Sequence, residues 1–124
     1  MLYAILCYAS EDVVCSWTKE EDEAVIARLV TVQEKYAKAG KLGPVARLLP
    51  TTAATTLRKV KGEAVVIDGP FAETKEQFLG FYTIDCANLD EAVGFAKELS
   101  EVNPSGGSYE IRPISVLNRV AATL

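Results

Sequence analysis

Ile67-Asp68-Gly69-Pro70-Phe71-Ala72-Glu73-Thr74-Lys75-Glu76 is the stretch from which the fold is read. Before it, Ala64-Val65-Val66-Ile67 is a short apolar run rich in β-branched residues, as a strand requires. After it, Phe78 to Cys86 is a second and longer run of the same kind. Between the two, Asp68 and Gly69 favour a turn, and Pro70 has no N–H to give to a ladder, so the chain leaves the sheet here. One aromatic residue, Phe71, and the charges Glu73, Lys75 and Glu76 follow. A loop of this kind either presents acidic and basic groups beside a pocket or simply closes a sheet.

Towards the N-terminus, Thr55 to Val60 and Glu63 to Ile67 read as a hairpin around Lys61-Gly62. Val45 to Leu49 is a short strand stopped by Pro50. Thr18 with Glu21 has capping-box spacing, and Glu20, Glu21, Asp22 and Glu23 suit the positive end of a helix dipole. Val25, Leu29, Val32 and Tyr36 then recur on one face, and Gly40 is a stop, which predicts a helix over about 19–39. Leu2 to Tyr8 is a strand and Ser10 to Trp17 a polar connection. Beyond the loop, Gly80 inside the long strand signals a bulge or a close backbone approach. Asn88 with Glu91 caps a second helix with the stripe Leu89, Val93, Ala96 and Leu99, which Asn103-Pro104-Ser105-Gly106-Gly107 ends. Tyr109 to Ile114 is a last strand, and Val116 to Ala122 reads as a short strand or a turn. With the hairpin set aside, the order is strand, helix, strand, strand, helix, strand. This is an α+β chain of the ferredoxin-like, split βαβ type with an inserted β-hairpin.

At 124 residues the chain is expected to be a single domain, residues 1–124. A net charge of −4 and scattered Lys and Arg argue against nucleic acid as a partner. The trio Arg58, Lys59 and Lys61 falls at the hairpin tip. No apolar stretch approaches a membrane span. Cys7, Cys15 and Cys86 make no even framework, and no signal segment is expected before the first strand, so the cytoplasm is the expected compartment. The chain has no histidine. That removes the usual neutral-pH base and the commonest transition-metal ligand, and with them every Ser-His-Asp or Cys-His arrangement. No cysteine pair has zinc spacing, and neither metal nor cofactor is expected.

In this topology both helices cover one face of the sheet. The other would be solvated only if its strands alternated polar with apolar, and these do not. Leu2, Ala4 and Leu6 oppose Tyr3, Ile5 and Cys7, while Leu79 and Phe81 oppose Phe78, Tyr82 and Ile84. Each such side chain is worth about 1.5–3 kcal/mol on full burial. A homodimer joined through the second face covers them most simply, the alternative being that the hairpin folds over its own sheet. A cleft between sheet, hairpin and partner would be the natural site for a small-molecule ligand.

The segment Asp68 to Gln77 followed by Gly80-Phe81-Tyr82-Thr83-Ile84-Asp85 resembles the signature of the DGPF group of YCII-related proteins. Leu48-Leu49-Pro50, Ala54-Thr55-Thr56 and Glu110-Ile111-Arg112-Pro113 fit the same group, so the resemblance covers nearly the whole chain. It implies a dimeric α/β barrel of ferredoxin-like subunits, in a superfamily that includes small-molecule enzymes. Some DGPF proteins occur beside sigma factors of the extracytoplasmic-function type. Better-understood relatives share a histidine and an aspartate proposed as catalytic. That pair cannot be carried over to a chain without histidine, and no counterpart of the aspartate is found near Lys38 or Gly40.

The candidate catalytic residue is Asp68. As a carboxyl near apolar strands it could act as a base; as a turn residue it would only bond nearby amides. Glu73, Lys75 and Glu76 could bind a polar substrate or orient Asp68, or sit in a solvated loop or the first turn of a short helix. Arg112 and Arg58 could clamp a carboxylate or phosphate, or pair with the loop's own carboxylates. Tyr82 could donate a phenolic proton or be a core aromatic. Three readings follow: cofactor-independent acid/base chemistry in a dimer cleft, a non-catalytic binding or regulatory module acting with a sigma-factor system, and a purely structural dimer. Whether the chain is an enzyme stays open on these residues.

Overall fold

Alternation along β1 (Leu2–Ala9) sorts the molecule into layers: Tyr3, Ile5 and Ala9 are buried, while Leu2, Ala4, Leu6 and Tyr8 on the other face are only half-covered. The computed structural model describes residues 1–118. Residues 119–122 of the expected Val116–Ala122 element lie outside that range, and 116–118 have no regular structure. β1 lies inside a four-stranded antiparallel sheet of order β2-β5-β1-β6, with β2 at Leu42–Arg47, β5 at Gln77–Asp85 and β6 at Ser108–Pro113. Both β1 and β2 run antiparallel to β5, which therefore separates two parallel strands joined by a helix. This is the split βαβ arrangement expected.

Register fixes which side chains share the covered face. Ile5 lies opposite Tyr82 and Ile111, and Tyr3 opposite Ile84. Onto that face pack α2 (Lys19–Lys38) and α3 (Leu89–Val102). Their starts follow the expected chemistry. Thr18 Oγ1 accepts from the Glu21 N–H at 3.1 Å, while the Thr18 N–H donates to Glu21 Oε1 at 3.0 Å. Asn88 Oδ1 accepts from the Glu91 N–H at 3.0 Å. On α2 the inward residues are those expected, Val25 with Leu29, Val32 and Tyr36. On α3 the stripe is rotated. Ala92, Phe95, Ala96 and Leu99 are buried, and Leu89 is 52% exposed. Phe95 sets this phase. Its ring is fully buried and meets Tyr36 edge-on at 4.5 Å and Tyr82 at 5.5 Å, which leaves Leu89 in the first turn outside the core.

The hairpin of β3 (Thr55–Val60) and β4 (Glu63–Asp68) turns at Lys61 and Gly62, both with positive φ, the geometry a tight hairpin needs. It does not fold over its own sheet. It forms a separate two-stranded sheet with Leu57, Val60, Val65, Val66 and Ile67 all exposed. Two further differences from expectation have local causes. β2 begins at Leu42, not Val45, because an irregularity absorbs Gly43 and Pro44, where Thr83 Oγ1 donates to the Pro44 carbonyl at 2.9 Å. Within the expected connection Ser10–Trp17, a one-turn helix α1 (Glu11–Val14) forms.

Candidate functional site

On the helix-covered face, α2 does not close fully on the sheet near its N-terminal half. A cavity of about 210 Å³ remains between α2, the strands β1, β2 and β5, the α1 segment and the loop before β6. Gly80 helps to form one wall. A Cβ there would stand 2.5 Å from the Ala46 carbonyl oxygen, so only glycine lets β2 lie this close at the point where the β1–β5 register slips between Cys7 and Tyr8. The lining is mainly apolar, from Val25, Ile26 and Leu29 of α2 with Val14 and Trp17 above them.

Few polar groups enter. Gln33 Nε2 donates to the Tyr82 hydroxyl at 3.4 Å, and the Cys7 thiol points its weak hydrogen bond at the Ile5 carbonyl at 3.8 Å. Burial pushes the Cys7 thiol from 9.0 up to about 12, and likewise the Tyr82 phenol from 10.0 up to about 12. Tyr109, also in the lining, is raised by burial too. Cys7 is thus a thiol rather than a nucleophilic thiolate, and both phenols stay protonated. At the rim, Arg47 at the end of β2 grips Asp22 in the first turn of α2 through two bonds, Nη2 to Oδ1 at 2.8 Å and Nη1 to Oδ2 at 3.1 Å. The pair holds Asp22 below its ordinary value, and Arg47 above its own. A second hollow of about 480 Å³ adjoins this rim, sharing Val14, Trp17, Asp22 and Arg47.

Of the candidate site residues read from the sequence, Tyr82 alone lines the cavity. Asp68 ends β4 opposite Thr55, exposed in the single chain. Arg58 lies on the same hairpin. Its guanidinium donates to the Phe71 carbonyl at 3.3 Å and stacks 5.5 Å from the Phe71 ring, so it fastens the Asp68–Glu76 loop to β3. Glu73 and Lys75 are exposed in that loop. Arg112 is exposed on β6 opposite Ala4, on the sheet face without helices. The structure therefore brings Arg58 and Asp68 onto one hairpin and sets Tyr82 and Arg112 on opposite faces of the sheet.

Gln33, Tyr109 and the Asp22–Arg47 pair were not anticipated as site residues. Gln33 carried a readable signal, for it stands one helical turn beyond Leu29 on the inward side of α2. The Asp22–Arg47 pair carried none, because its members come together only through the crossing of α2 over β2. Among the described residues, no group of three or more His, Cys, Asp or Glu could hold a metal ion, and no helix is long and apolar enough to cross a membrane.

An uncharacterised protein of Rhizobium meliloti (strain 1021) is 66% identical to this chain over 116 residues, which span 94% of each sequence. The family model described as the YCII-related domain matches residues 1–118, and the chain therefore belongs to the YCII-related family.

Proposed function

We propose that the protein is a cytoplasmic homodimer, paired through the uncovered sheet faces as a dimeric α/β barrel, and that each subunit binds a small molecule in the cavity beneath α2. The cavity carries this reading: it is concave, mainly apolar, and supplied with a few convergent polar groups, as ligand sites are. Its protonation states favour binding over acid/base work, because Cys7, Tyr82 and Tyr109 all hold their protons more tightly than usual. Any proton abstraction would fall to a carboxylate outside this cavity, and we propose Asp68 as base or anchor of a separate cleft at the seam between subunits.

A ligand screen by NMR tests the cavity. The chain has one tryptophan, so its single indole N–H resonance reports on the lining directly. Small apolar molecules should shift the Trp17 indole and the Gln33 side-chain amide together. Ile26→Phe, which adds bulk to the cavity wall from a 37% exposed position, should remove the effect. A broad screen that moves neither resonance defeats the proposal.

The exposed hairpin favours a second reading, that of a non-catalytic module docking on a regulatory protein. Leu57 and Val66 are 65% and 66% exposed, and Leu49 and Phe71 at its base 78% and 77%, an apolar surface that suits a protein partner. Turnover of any substrate that is lost in Asp68→Asn with the fold intact would argue against this reading.

A further inference from the structure

We infer that the cavity selects an uncharged, largely apolar ligand with one hydrogen-bonding group, and that Asp22 enforces this by occupying Arg47, the one cation that the described residues place at its rim. The inference rests on the cavity being a ligand site and adds what kind of ligand it takes.

Size comes first. A cavity of about 150 Å³ accepts a benzene molecule. One of about 210 Å³ therefore suits a single ring, or an aliphatic group of similar bulk, with a few further atoms. Charge comes second. Among the described residues, Arg47 and Asp22 are the only charged side chains in the lining, and they neutralise each other through two bonds. Lys19 faces only the adjoining outer hollow, and there it lies 3.9 Å from Glu23. An anionic ligand would compete with Asp22 for Arg47 at the partly exposed rim, or enter the apolar interior unpaired. A cationic one would meet no free carboxylate among the described residues. Polarity comes last. The deep groups are neutral donors and acceptors: Gln33, the Tyr82 hydroxyl and the Cys7 thiol. They can satisfy a hydroxyl or carbonyl but cannot compensate a full charge. Asp22 is thus a specificity-determining residue. It need not touch the ligand, because it acts by withholding Arg47.

A matched pair of probes tests this: 4-ethylphenol, neutral near neutral pH, and 4-ethylbenzoate, of nearly the same shape but anionic. Affinities are measured by calorimetry, and occupancy of the cavity by the Trp17 indole resonance. The wild-type protein should bind the phenol at least about tenfold more tightly than the benzoate, a difference of roughly 1.4 kcal/mol. In Asp22→Asn, which frees the guanidinium, that preference should shrink about tenfold or reverse. In Arg47→Met the benzoate should stay weak, which separates a freed cation from a merely loosened rim. Benzoate binding to the wild type as tightly as phenol, with the indole shifted, overturns the inference and leaves the cavity as a ligand site. An Asp22→Asn protein with the wild-type preference overturns the role of Asp22. If neither probe moves the indole at millimolar concentration, the ligand site itself falls, and this inference with it.

Discussion

The carboxylate of Glu11 accepts two hydrogen bonds from Thr51, one from its backbone N–H at 2.5 Å and one from its hydroxyl at 2.7 Å. The Glu11 N–H in turn donates to Gln77 Oε1 at 2.8 Å. One residue of the short helix α1 thereby holds the chain where it departs for the exposed hairpin and where it returns. Gln77 extends the tie, since its Nε2 donates to the Thr74 carbonyl at 2.6 Å. The hairpin buries little of its own, so its orientation depends on this base.

Replacing Glu11 with Gln should therefore loosen the hairpin without unfolding the domain. Bonds to an ionised group are worth about 1.5–3 kcal/mol each, and partial exposure reduces that here. We expect a local loss of about 1–2 kcal/mol. Hydrogen exchange should quicken at the Ala53 and Ala54 amides, which close the 3-10 turn on Pro50 and Thr51, while the amide of Ile5 keeps its protection. Equal acceleration at all three sites would show instead that Glu11 supports the whole fold.

Two glycines should respond in opposite directions. A methyl group at Gly80 would collide with the backbone carbonyl of Ala46, which cannot turn aside, so Gly80→Ala should cost about 1–3 kcal/mol and disturb β2. Gly94 lies within α3, and a Cβ there meets nothing within 4 Å. Gly94→Ala should stabilise by about 0.5–1 kcal/mol through helix propensity. Urea unfolding of the two variants measures both, and a neutral Gly80→Ala would mean that β2 can move away freely.

The contrast between these glycines also shows how far the sequence could be read. The succession of elements along the chain, the helix caps and the hairpin were legible because each depends on local chemistry: Thr18 with Glu21, Asn88 with Glu91, Lys61 with Gly62. Gly80 could be marked as special, but whether it served a bulge or a close approach depended on which strand lay beside it, and the structure shows both. The phase of α3 was misjudged because the apolar pattern allows several stripes, and only the rings of Tyr36 and Tyr82 select the one containing Phe95. The cavity was invisible for a related reason. It is a gap left by the packing of α2, which no residue pattern marks, whereas the charges after Asp68 stand out in the sequence. Tyr82 was common to both, as a polar-tipped aromatic inside an apolar strand.

Stability should fall on the alkaline side. Cys7 and Tyr82 have folded values raised from 9.0 and 10.0 to about 12, because burial resists their charged forms. Unfolded chains lose these protons at the ordinary values, so above pH about 9 the unfolded state gains relative to the folded one. The contribution is fully present below the unfolded values and is lost as pH rises towards the folded ones. Tyr36, also raised by burial and by the neighbouring Glu98, acts in the same direction. Urea midpoints should drop steadily between pH about 8 and about 11. The combined variant Cys7→Ala, Tyr82→Phe should be weaker overall but show a flatter decline. An undiminished slope in that variant would move the effect to other groups.

The uncovered sheet face gives the most direct test of the proposed dimer. Leu6 lies opposite Phe81 and Ala4 opposite Thr83 on that face, with no helix of the described residues above them. A stable pairing needs about 800 Å² from each partner, and a four-stranded sheet face flanked by an exposed apolar hairpin can supply it. A two-fold axis through the face would bring residue 81 of both subunits into one desolvated layer, so a single substitution introduces two charges. Phe81→Glu should therefore convert the protein to monomers that keep their helix content, because the core around Phe95 lies on the other face of the sheet. Sedimentation velocity should give twice the chain mass for the wild type and the chain mass for the variant. A wild-type protein that sediments as a folded monomer at micromolar concentration would refute the dimer and leave the apolar face to another partner. An Ile5→Glu control, which places the same charge in the helix-side core, should unfold the chain outright and so distinguish a lost interface from a lost fold.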